Sequence, residues 1–122
     1  MVGLGGFIGS IFRYALGGYI QDLSGIKLFP YGTIVVNIAG CFVIGFLSQL
    51  AESREAFSPD THAFVFVGIL GGFTTFSAFG NETLNLFREG ENLLAIVNIL
   101  AQVALGLTAV WLGRLLAYSI WK

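Results

Sequence analysis

Four long apolar segments alternate with three short polar ones along the chain's 122 residues. The apolar segments run from Val2 to Ile20, interrupted at Arg13; from Gly32 to Ala51, with no charge; from Ala63 to Phe87, carrying Glu82; and from Leu93 to Trp121, charged only at Arg114. Each approaches or exceeds the roughly 20 residues a helix needs to cross the hydrocarbon core of a bilayer. They are too long for membrane strands and lack the strict alternation of a barrel. The connectors "QDLSGIKLFPY", "ESREAFSPDT" and "REGEN" hold both prolines and most of the charges. This pattern predicts one domain over residues 1–122, an all-α membrane unit of four crossings with both termini on one side.

Polar positions inside these segments are costly in lipid and mark function or packing. Thr33, Asn37, Gly40, Cys41 and Ser48 recur at helical spacing on one stripe of the second segment, and Asn98, Gln102, Gly106 and Gly113 do so on the fourth. In the first segment Arg13 shares a face with Gly6, Gly9, Ser10 and Gly17. The stripes offer amides and hydroxyls, the one deep charge is positive, and Glu82 lies in the outer part of the third segment. A path lined by N–H and O–H donors favours an anion over a cation; the same stripes also suit hydrogen bonding between helices.

The third segment contains "GGFTTFSAF", Gly71 to Phe79. Gly71 and Gly72 favour departure from helical geometry, and Thr74 and Thr75 can bond their own backbone. A break near mid-membrane is therefore expected there. Carbonyls freed by it must find a cation, a water or a neighbouring hydroxyl, because lipid offers none. Phe76 and Phe79 follow on one face, and the positive edges of aromatic rings can solvate a small anion weakly. Ordinary packing is the other reading of that pair.

Composition narrows the classes. The chain is 56% hydrophobic and 11% charged, against about 25% charged in soluble domains, so a membrane is its solvent and lipid its neighbour. A formal net charge of -1 supplies no basic field for nucleic acid. The single cysteine, Cys41, excludes an intrachain disulfide and metal-type cysteine spacing, and reads as a packing residue. The only histidine, His62, sits at a helix entrance and offers no enzyme constellation. No basic residue precedes the first apolar run, so the N-terminus does not read as a cleaved leader. Arg54, Lys122 and Arg114 would lie on the terminal side of the membrane, Lys27 and Arg88 on the other. So weak a bias leads us to expect insertion in both orientations and an antiparallel homodimer; one fixed orientation is the alternative. The 17 glycines suggest tightly packed helices enclosing little space in one subunit, so an ion path needs two.

"GGFIGSIFRY" (Gly5 to Tyr14), "GTIVVNIAG" (Gly32 to Gly40) and "GILGGFTTFSAF" (Gly68 to Phe79) resemble three signature stretches of the fluoride-specific ion channels, the Fluc or CrcB family. The resemblance covers essentially the whole chain. It implies an antiparallel, dual-topology homodimer in the cell (inner) membrane, with two pores that export fluoride passively from the cytoplasm. It implies a central structural Na+ held by the backbone carbonyls of Gly71 and Thr74 from both subunits, and Phe76 and Phe79 as rings lining the pores. Asn37 would donate its amide to fluoride, with Thr33 and Ser77 completing a polar cluster around it. Arg13 matches the family's first-helix arginine and Glu82 its acidic residue late in the third helix. The sequence departs from the pattern at Ala78 and Gly80, which replace hydroxyl residues, and at Asn98 and Gln102, where a tyrosine or serine track is expected.

Two other classes remain to be weighed. A small multidrug-resistance-type transporter shares the four-helix, dual-topology plan but needs a carboxylate deep in the first helix, where this chain has Arg13. A non-transporting membrane assembly subunit would use its polar stripes as glue.

Overall fold

The computed structural model of the chain describes residues 1–54 and 57–120, and every regular element among them is helical. These are α1 (Val2–Ser24), α2 (Tyr31–Arg54), the short α3 (Pro59–His62), a π-helical segment (Ala63–Leu70), the short α4 (Gly71–Phe73), α5 (Phe76–Arg88) and α6 (Asn92–Ile120). Trp121, Lys122 and the side chain of Arg54, which enter the expected spans and charge bias, lie outside the described residues.

Three stretches are long and apolar enough to cross a membrane: Tyr31–Glu52, Pro59–Arg88 and Asn92–Ile120. The second, third and fourth apolar segments thus stand as expected, within a few residues at their ends. The first segment also forms a continuous helix of 23 residues, but it is not among the three. Arg13 and six glycines within α1 lower its mean hydropathy without shortening it.

The third stretch is bent rather than straight. Ser58 caps it by accepting the amide of Thr61, with Pro59 in the first helical position. It then widens into π geometry and stops at Phe73. Thr74 (φ -92°, ψ 156°) and Thr75 (φ -151°, ψ 121°) are extended, a conformation that suits β-branched side chains. The helix restarts at Phe76, where the Thr75 hydroxyl accepts the Ala78 amide at 3.2 Å. The break therefore falls on the two threonines. Gly71 and Gly72, expected to open the backbone, remain helical.

The glycines bring backbones together instead. A Cβ on Gly5 would meet the Phe64 carbonyl and Gly68, one on Gly9 the Ile69 carbonyl, and one on Gly72 the Gly6 backbone. These contacts press α1 against the π segment and α4. Gly17 faces Gly32 between α1 and α2, while Gly45 against Val110 and Gly113 against Phe42 seat α6 on α2. In lipid such close packing does much of what hydrophobic burial does in water.

Gln21 organises the turn from α1 into α2. Its Nε2 donates to the carbonyls of Ile26 (2.6 Å) and Phe29 (2.7 Å), and its Oε1 accepts the Gly32 amide at 2.9 Å. That acceptor satisfies one of the orphan N–H groups opening α2. At the other end of the bundle, Arg114 on α6 makes a two-pronged contact with Glu52 on α2, at 3.0 and 3.1 Å.

Candidate functional site

The break is held by a side chain from another helix. Asn37, in the second turn of α2, accepts the Thr75 amide on Oδ1 at 3.0 Å and donates from Nδ2 to the Thr75 carbonyl at 3.3 Å. The carboxamide thus takes the place of the helical acceptor that the Thr75 amide has lost, and adds a donor to a carbonyl that as N-cap opens the ladder of α5. Gly40, one turn further along α2, lets Thr74 and Phe73 approach: a Cβ there would collide with the Thr74 methyl group.

This arrangement has a consequence for the carbonyls. In a continuous helix the Thr75 amide would bond the Gly71 carbonyl, and the Ala78 amide that of Thr74. Both donors have been diverted, the first to Asn37 and the second to the Thr75 hydroxyl. The Gly71 and Thr74 carbonyls are left as acceptors without those donors. The Leu70 carbonyl, by contrast, accepts both the amide and the hydroxyl of Thr74. Among the described residues no group of three or more His, Cys, Asp or Glu could hold a metal, so a cation in this region would depend on backbone oxygens. The two undonated carbonyls are chemically suited to an alkali cation.

From Asn37 a directed chain of hydrogen bonds continues across the bundle. Asn37 Nδ2 donates to Gln102 Oε1 (2.9 Å), Gln102 Nε2 to Asn98 Oδ1 (3.2 Å), and Asn98 Nδ2 to Thr83 Oγ1 (2.9 Å). The Thr83 hydroxyl donates to the Phe79 carbonyl at 2.7 Å. Asn98 is 0% exposed, so its bonds carry most of its polar satisfaction. The chain starts at Thr75 and ends at Phe79, passing around the segment that carries the phenylalanine pair.

Phe76 and Phe79 lie with ring centroids 5.4 Å apart and planes tilted by 51°. They share a cavity of about 370 Å³ with Asn37, Thr74, Thr75 and Gln102. Phe76 is 83% exposed, so the ring contributes little to the core of the subunit. Among the described residues no acidic side chain lines this cavity.

The polar cluster expected of Thr33, Asn37 and Ser77 divides between two spaces. The Ser77 and Thr75 hydroxyls are 3.0 Å apart, and together with Thr33, Arg13 and Asn81 they border a wider cavity of about 980 Å³. Among the described residues Arg13 has no hydrogen-bond or ion-pair partner. The Thr33 hydroxyl donates to Glu82 Oε1 at 2.7 Å, away from Asn37. Glu82 Oε2 is buried with no partner among the described residues, and the carboxylate borders a third cavity with Gln21 and Lys27. His62 is exposed and stacks on Phe66, centroids 4.2 Å apart.

Thr75 and Thr83 organise the site without having been singled out as candidates. Thr83 carries a visible signal, lying one helical turn beyond Phe79. The role of Thr75 depends on Asn37, 38 residues away.

Comparison with known proteins agrees with this architecture. The family model described as "CrcB-like protein, Camphor Resistance (CrcB)" matches residues 1–114. A protein of Desulforapulum autotrophicum named "Fluoride-specific ion channel FluC" is 48% identical over 119 residues, covering 98% of this chain and 94% of its own. One of the same name from Methylobacillus flagellatus is also 48% identical, over 93% of this chain and 88% of its own. The "Fluoride-specific ion channel FluC 3" of Methanosarcina barkeri is 38% identical over 98% and 89%. The match spans the helix break, the Asn37 stripe and the phenylalanine pair, and the chain belongs to the CrcB family, a multi-pass membrane protein by its apolar helices.

Proposed function

We propose that this chain is a fluoride-selective passive ion channel, and not an enzyme, that exports fluoride from the cytoplasm. The names of its relatives support fluoride as the ion. The observation that carries the reading for this chain is the cavity at the break. It joins the phenylalanine pair to two carboxamides and two threonines, with no carboxylate among the described residues that line it.

In this reading α1 is the fourth crossing, and the chain lies in the inner membrane in both orientations, pairing as an antiparallel homodimer with two pores. The Gly71 and Thr74 carbonyls, which lack their helical donors, would hold the Na+ between subunits, and it would supply a fixed positive charge to the anion paths. Arg13, Thr33 and Ser77 border the wide cavity and draw the anion towards the break. Thr75 faces both cavities and is the point of passage between them. Asn37 donates an N–H to fluoride, replacing part of its hydration, while the edges of Phe76 and Phe79 supply weak contacts that let the ion leave. Asn98 and Thr83 set the orientation of the donors behind the rings, and Thr33 positions Glu82 midway along α5.

Among the described residues no carboxylate or histidine lines the cavity, and in this reading the movement is uncoupled. Fluoride that has entered a cell as neutral HF and ionised is driven out by the membrane potential, worth ~2.3 kcal/mol per charge at 100 mV. The test is efflux from sealed vesicles loaded with potassium fluoride and containing the purified protein, followed with a fluoride electrode after a potassium ionophore lets K+ leave with the anion. Rapid efflux without a pH gradient is expected. No efflux would favour an assembly subunit, and efflux that requires a proton gradient would favour a coupled transporter.

A further inference from the structure

We propose that Gln102 is a second anion-binding carboxamide, one that turns over when fluoride displaces its carbonyl from Asn37. The inference rests on the fluoride-channel reading and names a residue and a movement within that site.

It begins with a direction that the backbone imposes. The Thr75 amide must meet an oxygen and the Thr75 carbonyl an N–H, so the Asn37 carboxamide has only one orientation. Its second N–H then points at Gln102 Oε1, 2.9 Å away. Both Asn37 donors are therefore in use before any anion arrives. The Thr75 acceptor is backbone. The Gln102 acceptor is a side-chain oxygen that can rotate, and it lies in the wall of the cavity holding the phenylalanine pair. Its carbonyl occupies the place an anion would take at Asn37.

Turning Gln102 costs little elsewhere, because the rest of the chain can reverse. At present Gln102 donates to Asn98, Asn98 to Thr83, and Thr83 to the Phe79 carbonyl. If Gln102 and Asn98 both turn, Asn98 donates to Gln102, and the Thr83 hydroxyl swings from the Phe79 carbonyl to Asn98 Oδ1. The bonds between these three residues survive in the opposite sense. Asn37 cannot follow, since Thr75 holds it. Two contacts change: the Phe79 carbonyl loses the Thr83 hydroxyl but keeps the Thr83 amide of its own helix, and between Asn37 and Gln102 NH2 then faces NH2. Two donors facing each other lack an acceptor when the site is empty. An anion between them supplies it, so only the occupied site favours the turned state.

The experiment uses the full chain in vesicles with 15N-labelled glutamine side chains. There are three, Gln21, Gln49 and Gln102, identified by replacing each with Met. Fluoride should move the Gln102 amide signals and leave those of Gln21 and Gln49 in place, and chloride should move none. Gln102→Glu, measured at a pH where it is ionised, keeps an acceptor for Asn37 but does not donate from that position, and Gln102→Met can do neither. Each should lower fluoride efflux by about tenfold or more, the loss expected for one donor to a charged group. If Gln102 signals stay fixed while wild-type efflux saturates with fluoride, Gln102 does not bind the ion, whatever the variants do. If wild-type vesicles pass no fluoride, the channel reading itself fails.

Discussion

The carboxamide of Asn37 pairs with both backbone polar groups of Thr75, at 3.0 and 3.3 Å, and so stands in for the helix interrupted at that point. The same residue is the expected fluoride donor, which couples the stability of the break to conduction. Replacing Asn37 by Leu would strand the Thr75 amide away from water, at a cost of about 1–3 kcal/mol. Asn37→Asp keeps the acceptor for the Thr75 amide and loses the donors. The midpoint of thermal unfolding in detergent should fall most for Asn37→Leu and less for Asn37→Asp, while fluoride efflux collapses in both. Undiminished efflux in Asn37→Leu would separate the break from the pore.

The phenylalanine pair should behave in the opposite way. Phe76 is 83% exposed, and substitutions at such positions shift stability by only about 0.5 kcal/mol. Phe76→Ile should therefore unfold close to the wild-type temperature yet pass fluoride at a small fraction of its rate, and Phe79→Ile should slow flux likewise. Parallel melts and efflux traces on the same preparations check both halves of this expectation.

Two glycines provide a matched comparison. A Cβ on Gly113 would run into the Phe42 carbonyl and the Phe46 amide, whereas one on Gly80 meets nothing within 4 Å. Gly113→Ala should destabilise the chain by about 1–3 kcal/mol, the usual cost of overpacking. Gly80→Ala should stabilise it by about 0.4–1 kcal/mol through the unfolded chain. Shifts of the same sign would contradict the close α2–α6 contact.

Glu82 relies on Thr33 for its hydrogen bond within the subunit, and its second oxygen is buried without a partner among the described residues. Thr33→Val should remove that bond at a cost of about 1–3 kcal/mol and slow fluoride entry, while Thr33→Ser retains the hydroxyl and should restore both. A Thr33→Val protein with wild-type stability and flux would show that Glu82 is held by other means.

Much of this architecture can be read from periodicity. Asn37, Asn98 and Gln102 stand on helical stripes, and the structure brings the three into one hydrogen-bonded chain. The break was legible in Thr74 and Thr75, while Gly71 and Gly72 misled, because a glycine that loosens a helix looks the same in sequence as one that admits a neighbouring backbone. Gly72 does the second, against Gly6. The π segment over Ala63–Leu70 has no local signature. The choice of Glu82 over Asn37 as the partner of Thr33 depends on the register between α2 and α5, as the role of Gln21 depends on the path of the first connector. The length of α1 was apparent, but Arg13 and its glycines kept its hydropathy below that of the other three stretches. The direction of the amide chain follows from the Thr75 backbone and could be assigned only once Asn37 was placed against it.

The central claim is tested most directly by loading one population of vesicles with equal fluoride and chloride and measuring both anions as they leave through the purified, reconstituted protein. The account predicts that fluoride empties rapidly once a potassium ionophore lets K+ leave with it, while chloride remains inside. Equal loss of the two ions would contradict it.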